Sequence, residues 1–167
     1  MIDISGINFK ELLGAAAKAE ENSREVYDFL AKNAKTFVTA DRFKFLAGEE
    51  QKHEEYVRGV YNKTYGGKEL TVPDDTPLPI PFIIFNDESD ESELIEQAME
   101  AELAAKEVYE KMSTMAKDEK RPDEIVLTLN YLAGMEQNHY NILEQELDRT
   151  KNFEEFDEYF PGMHIGP

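Results

Sequence analysis

Residues 46–53 read LAGEEQKH and residues 132–139 read LAGMEQNH. Both octapeptides end in a Glu-x-x-His pair, Glu50 with His53 and Glu136 with His139. Residues three apart on a helix share a face, so each pair presents a carboxylate and an imidazole to one point. A second match lies upstream of each pair: residues 19–27 read AEENSREVY and residues 101–109 read AELAAKEVY. It brings Glu20 and Tyr27 into register with Glu102 and Tyr109. The two offsets, 82 and 86 residues, differ by four, which a loop absorbs. The chain therefore reads as a duplicated helix pair folded about a pseudo-two-fold axis, with any central site sharing that symmetry.

Local signals divide the chain into four helices. Asn8 and Glu11 form a capping-box pair, with Ile7 and Leu12 as a hydrophobic staple, and the first helix should run to about Ala34. Thr39 can cap a second helix that ends near Tyr65, where Gly66-Gly67 supplies a stop. Pro73, Pro77, Pro79 and Pro81 exclude a helix from the next segment, so residues 68–89 read as a long crossover. Asp90 and Glu93 stand at capping-box spacing before a third helix that reaches about Lys117. Pro122 suits the first turn of a fourth, acidic at Asp123 and Glu124 and ending near Lys151. The expectation is one all-α domain over residues 1–151, a four-helix bundle of two hairpins joined by the crossover. Phe153, Phe156, Tyr159 and Phe160 mark residues 152–167 as an aromatic tail packed on that bundle.

Alternating steps of three and four give the inward face of each helix. The first gives Phe9, Leu13, Ala16, Glu20, Ser23, Tyr27, Leu30 and Ala34; the second gives Phe43, Leu46, Glu50, His53, Val57 and Val60. The third gives Ile95, Ala98, Glu102, Ala105, Tyr109, Met112 and Ala116; the fourth gives Ile125, Leu129, Leu132, Glu136, His139, Leu143 and Leu147. Each stripe is apolar except at its centre, where a glutamate, or a glutamate and a histidine, interrupts it. A solvated face would put its carboxylates opposite the stripe, where Glu25, Asp28, Glu54, Glu55, Glu107 and Glu110 fall. Burying four carboxylates at one depth costs several kcal/mol each unless they are protonated, paired or bound to cations. Few basic residues share the stripes. Two divalent ions would balance Glu20, Glu50, Glu102 and Glu136, with His53 and His139 ligating as neutral imidazoles.

Composition agrees with a metal-binding soluble bundle. The 167 residues carry 18 basic and 36 acidic side chains, a net charge of −18. That balance disfavours nucleic acid and anionic membranes and attracts cations. The absence of cysteine excludes thiol catalysis, thiolate-held clusters, zinc ribbons and disulfides. The start, MIDISGINFK, has neither a basic nor an apolar leader region, so a cytoplasmic address is expected. The apolar stretch Leu78–Phe85 contains two prolines and falls far short of the ~20 residues that span a bilayer. Its Ile80, Phe82, Ile83, Ile84 and Phe85 are expected over the bundle flank or at a homodimer contact.

From about residue 8 to 151 the sequence resembles the ferritin-like di-iron carboxylate proteins, most closely rubrerythrin-type domains. The residues that carry the resemblance are Glu20 with Tyr27, Glu50-x-x-His53, Glu102 with Tyr109, and Glu136-x-x-His139. It implies that Glu50 and Glu136 bridge two iron ions, that Glu20 and Glu102 are terminal ligands, and that His53 and His139 each cap one metal. It also implies that Tyr27 and Tyr109 donate to those carboxylates. Rubrerythrins usually carry a further glutamate where this chain has Ala105, and they append a cysteine-bound rubredoxin module that a cysteine-free chain cannot have. The remaining centre is symmetric, and its electrons come from a separate partner protein. The resemblance implies a peroxidase-type oxidoreductase acting on hydrogen peroxide or dioxygen. The alternatives are a ferroxidase feeding iron storage, a di-manganese catalase on the same ligands, and a non-enzymatic iron or oxygen sensor. Met99, Met112, Met115 and Met135 read as packing residues rather than haem ligands, and His164 as a surface histidine.

Overall fold

The computed structural model describes residues 2–84 and 89–159. Four helices carry the fold: α1 (Phe9–Asn33), α2 (Phe37–Tyr65), α3 (Glu91–Asp118) and α4 (Asp123–Tyr159). The capping box of α1 forms as its sequence dictates, Asn8 Oδ1 accepting from the Glu11 N–H at 3.0 Å and Glu11 Oε2 from the Asn8 N–H at 3.4 Å. Gly66, in the left-handed region at φ 61°, closes α2 by returning its N–H to the Asn62 carbonyl.

Three helix ends differ from the sequence reading. The N-cap of α2 is Thr36, whose Oγ1 accepts from the Thr39 N–H at 3.1 Å, and Thr39 occupies the first turn. That shift leaves the Thr39 hydroxyl free to donate to the buried Glu146 at 2.7 Å. Asp90 has extended N-cap backbone but makes no side-chain cap bond, so no capping box opens α3. Finally, α4 continues past Lys151 to Tyr159, because KNFEEFDEY contains neither glycine nor proline. Ion pairs Lys151–Glu96 at 2.6 Å and Lys35–Glu154 at 3.0 Å brace these last turns. Residues 152–159 thus continue α4 rather than forming a tail distinct from it, and Phe160 and His164 lie outside the described residues.

Close packing of α1 on α2 and of α3 on α4 makes two hairpins, which meet through α2–α4 and α1–α3. Side chains between the hairpins form two apolar layers. One contains Phe9, Leu13, Val57, Tyr61, Met112 and Leu129; the other contains Leu30, Phe43, Leu46, Ile95 and Leu143. The glutamates and histidines of the four stripes are sandwiched between them. The crossover runs back along α1. It approaches so closely at Gly14 that a Cβ there would overlap the Thr71 carbonyl oxygen. Thr76 Oγ1 donates to the Ala15 carbonyl at 2.9 Å, and the Tyr61 hydroxyl donates to the Glu69 carbonyl at 3.0 Å. Ile80 and Ile83 turn in against the core while Phe82 and Ile84 face out, and Phe85 lies outside the described residues. Among the described residues no helix is long and apolar enough to cross a membrane.

Candidate metal centre

Each helix delivers its polar residues at the level where the two apolar layers part. From α2 come Glu50 and His53 and from α4 Glu136 and His139, all four 1% exposed; Glu20 of α1 and Glu102 of α3 are each 4% exposed. The structure brings all six together. His53 Nδ1 lies 3.6 Å from Glu20 Oε2, 3.2 Å from Glu50 Oε2 and 3.1 Å from Glu136 Oε1. His139 Nδ1 lies 3.4 Å from Glu102 Oε2, 3.0 Å from Glu50 Oε1 and 3.3 Å from Glu136 Oε2. Glu50 and Glu136 therefore each turn one oxygen to either side, while Glu20 and Glu102 each serve one side. The imidazole rings stack, 4.9 Å apart and 11° from parallel.

Tyr27 and Tyr109 bond across the bundle. The Tyr27 hydroxyl of α1 donates to Glu102 Oε1 on α3, and the Tyr109 hydroxyl of α3 donates to Glu20 Oε1 on α1. Burial, reinforced by the charge of the carboxylate each one faces, holds both phenols well above their usual pKa, so they remain donors.

The electrostatics of the bare cluster divide its carboxyls into two classes. Burial holds Glu20 and Glu102 well above the usual carboxylate range, helped by the charge of Glu136 on the first and of Glu50 on the second. Burial opposes ionisation of Glu50 and Glu136 as well, but His139 and His53 outweigh it and keep both below that range. Burial also opposes charge on the imidazoles, and there the carboxylates win: Glu136, Glu20 and Glu50 raise His53, and Glu102, Glu136 and Glu50 raise His139 to about 12.

This donor set fits metal ions better than it fits a hydrogen-bonded core. Although each Nδ1 lies close to three carboxylate oxygens, neither has N–H···O geometry to any of them. Glu50 Oε1, Glu136 Oε1 and both nitrogens of His53 and His139 are buried with no hydrogen-bond partner among the described residues. Buried polar atoms are normally paired, and leaving one unpaired costs about 1–3 kcal/mol. Ligand atoms of Glu50, His53, Glu136 and His139 all lie within 4.8 Å of one another, a spacing at which cations satisfy them together. A model of the rubrerythrin family matches residues 11–147. The chain belongs to the rubrerythrin family. The solved structure of a hypothetical protein from Pyrococcus furiosus, Pfu-1136390-001, is similar over most of both chains. It is 34% identical, covers 90% of this chain and 95% of its own, and has a TM-score of 0.77. No curated protein matches the chain. As a member of the rubrerythrin family, the chain has in its buried glutamate and histidine cluster residues that fit a di-iron site.

Two buried carboxylates among the described residues escaped the sequence reading, Glu91 at the start of α3 and Glu146 on α4. Glu146 is 2% exposed beside Leu147 of the α4 stripe, held by the Thr39 hydroxyl at 2.7 Å and Arg149 at 3.2 Å. An arginine three residues beyond Glu146 was its sequence signal.

Proposed function

We propose that the chain is a di-iron oxidoreductase that reduces hydrogen peroxide to water with electrons from a separate donor protein. The observation that carries this reading is the two-sided presentation of Glu50 and Glu136, which offers paired sites within one buried, symmetric cluster. Glu50 and Glu136 would bridge two ions, Glu20 with His53 would complete one site, and Glu102 with His139 the other. Bound as ferrous ions, the metals supply the two electrons that, with two protons, convert one peroxide into two waters.

The rest of the work belongs to the chain. Tyr27 and Tyr109 orient the terminal carboxylates and keep a proton at each phenol oxygen, one on either side of the pair. Leu46, Ile95 and Leu143 on one side, with Val57, Met112 and Leu129 on the other, exclude bulk water and lower the local dielectric. Ala105 leaves the third helix with one carboxylate at the cluster, Glu102, so both sites keep the same donor set and neither can exchange a second α3 carboxylate.

The test is metal analysis joined to turnover. Purified protein should hold about two ions per chain and consume peroxide with an artificial reductant. His53→Ala and His139→Ala should each lose about one ion and most of the turnover. Two ions and full turnover in both variants would refute the assignment, and turnover supported by manganese but not by iron would replace the metal.

A further inference from the structure

The inward stripes of α1 and α3 lose their burial at one central position each. Ser23 and Ala105 are half-buried, whereas Glu20, Tyr27, Glu102 and Tyr109 around them are buried. The two positions match in the internal repeat. The cross-bonds Tyr27 to Glu102 and Tyr109 to Glu20 also fix an antiparallel register in which Ser23 and Ala105 sit opposite each other, midway between the bonds. Two small side chains, both partly open to solvent, thus stand between the two tyrosine–glutamate bonds on the α1–α3 seam. The opposite seam carries large rings at the same level. There the stacked imidazoles, and outside them the Tyr56–Tyr131 edge contact at 5.5 Å, fill the space between α2 and α4. Residual exposure follows the same division, 4% at Glu20 and Glu102 against 1% at the four residues of α2 and α4.

The crossover lies over the Ser23 side of this seam. Ile80, Pro81, Phe82 and Ile83 roof a cavity of about 60 Å³ that Ser23 and Ala101 help to line. The roof is pinned by Gln97 of α3, whose Oε1 accepts from the Ile84 N–H at 2.7 Å and whose Nε2 donates to the Ile84 carbonyl at 3.4 Å. The pocket is open to solvent on one side, and at about 10–15 Å³ per water its interior has room for a few water-sized molecules.

We infer that the α1–α3 gap at Ser23 and Ala105, under the crossover roof, is the entry path to the metal centre and selects peroxides by size. Hydrogen peroxide passes and alkyl hydroperoxides are held out. The inference rests on the proposed metal centre and names the substrate class of that same site. Ser23 and Ala105 are specificity-determining by their smallness, and Gln97 acts by positioning the roof.

The test uses cobalt-loaded protein and azide, a small ligand whose binding perturbs the cobalt absorption without turnover. Ser23→Leu and Ala105→Leu should each slow azide binding about tenfold while cobalt content stays unchanged. Gly134→Ala, on the outside of α4 with open space around it, should leave the rate alone. In iron-loaded protein, wild type should react with hydrogen peroxide and not with tert-butyl hydroperoxide, and Gln97→Ala should narrow that difference. Full cobalt content with unchanged azide rates in both leucine variants overturns the path and leaves the metal centre standing. Loss of cobalt from a leucine variant also overturns it, since the residue would then support ligands rather than line a route. Failure of wild type to take up cobalt instead marks the failure of the metal centre itself.

Discussion

Loading the cluster with two divalent ions should expel about four protons. The number follows from the charge states that the bare site adopts. Burial holds Glu20 and Glu102 well above the carboxylate range, which favours a proton on each. Both imidazoles are protonated because three carboxylates surround each of them. Glu50 and Glu136 are ionised opposite those imidazoles. The bare cluster is therefore neutral: two negative carboxylates, two positive imidazoles and two neutral carboxyls. Two divalent ions need four carboxylates for neutrality and two imidazoles with free Nδ1 lone pairs. One proton must leave each of Glu20, Glu102, His53 and His139. At one decade per proton, the combined affinity for the ion pair should rise with pH, by up to about four decades per unit, or ~5.5 kcal/mol, where all four protons are held. Calorimetric titration with cobalt at pH 7, repeated in buffers of different ionisation enthalpy, gives the proton count as the slope of the observed heat. Glu20→Gln keeps the bare cluster neutral with one ionisable proton fewer, so its slope should drop by about one. A slope near zero for wild type would refute the reasoning, because it would mean ligands already deprotonated in the bare protein.

Two further predictions follow from the same structure. In metal-free protein the raised groups make the native state hold protons that the unfolded chain gives up, above about 4.5 for Glu20 and Glu102 and above about 6.5 for the imidazoles. Each contributes stability that is lost as pH rises, by up to about 1.4 kcal/mol per unit, the His139 share persisting until about pH 12. Glu50 and Glu136 act in the opposite sense, their contribution present above 4.5 and lost below it. Melting of metal-free protein should therefore shift down between pH 6 and pH 9, while loaded protein loses stability toward acid; parallel slopes would contradict a buried cluster that trades protons for metal. Gly14→Ala should cost about 1–3 kcal/mol by pushing the crossover off α1, whereas Gly134→Ala, in open space within α4, should gain up to about 1 kcal/mol. Urea midpoints that moved the same way in both would show that the crossover does not press on Gly14.

What could be read from the sequence was whatever periodicity and duplication encode. The central interruptions of four apolar stripes placed Glu20, Glu50, His53, Glu102, Glu136 and His139 at one depth, and the structure gathers those six. Helix ends were less legible because neighbouring residues satisfy the same local rule. In Thr36-Phe37-Val38-Thr39 either threonine can cap a helix; Thr36 does so, and the Thr39 hydroxyl instead donates to Glu146, far away in sequence on α4. The end of α4 was misread because the apolar stripe runs out before the helix does, and ion pairs to Lys35 and Glu96 carry it onward.

The crossed tyrosines show how far duplication alone can go. Tyr27 follows Glu20 by seven residues, a rise of about 10 Å along one helix, which a phenol cannot span. Its carboxylate partner must come from another helix. Where two copies of a Glu-x₆-Tyr segment run antiparallel with the pseudo-two-fold axis midway between glutamate and tyrosine, each tyrosine falls level with the other copy's glutamate. That is the arrangement found, Tyr27 with Glu102 and Tyr109 with Glu20. The same symmetry forces the midpoint residues, Ser23 and Ala105, to face each other. Their smallness gave no sign of a gap, because a small residue on an inward stripe serves equally well in a tightly packed seam. Only the distance between α1 and α3 separates the two cases, and the bulk of Glu20, Tyr27, Glu102 and Tyr109 on either side sets that distance. A gap between two tyrosine–glutamate bonds is thus a product of the bonds themselves, and widening or closing it requires changing the small residues, since changing the tyrosines would also release the carboxylates they hold.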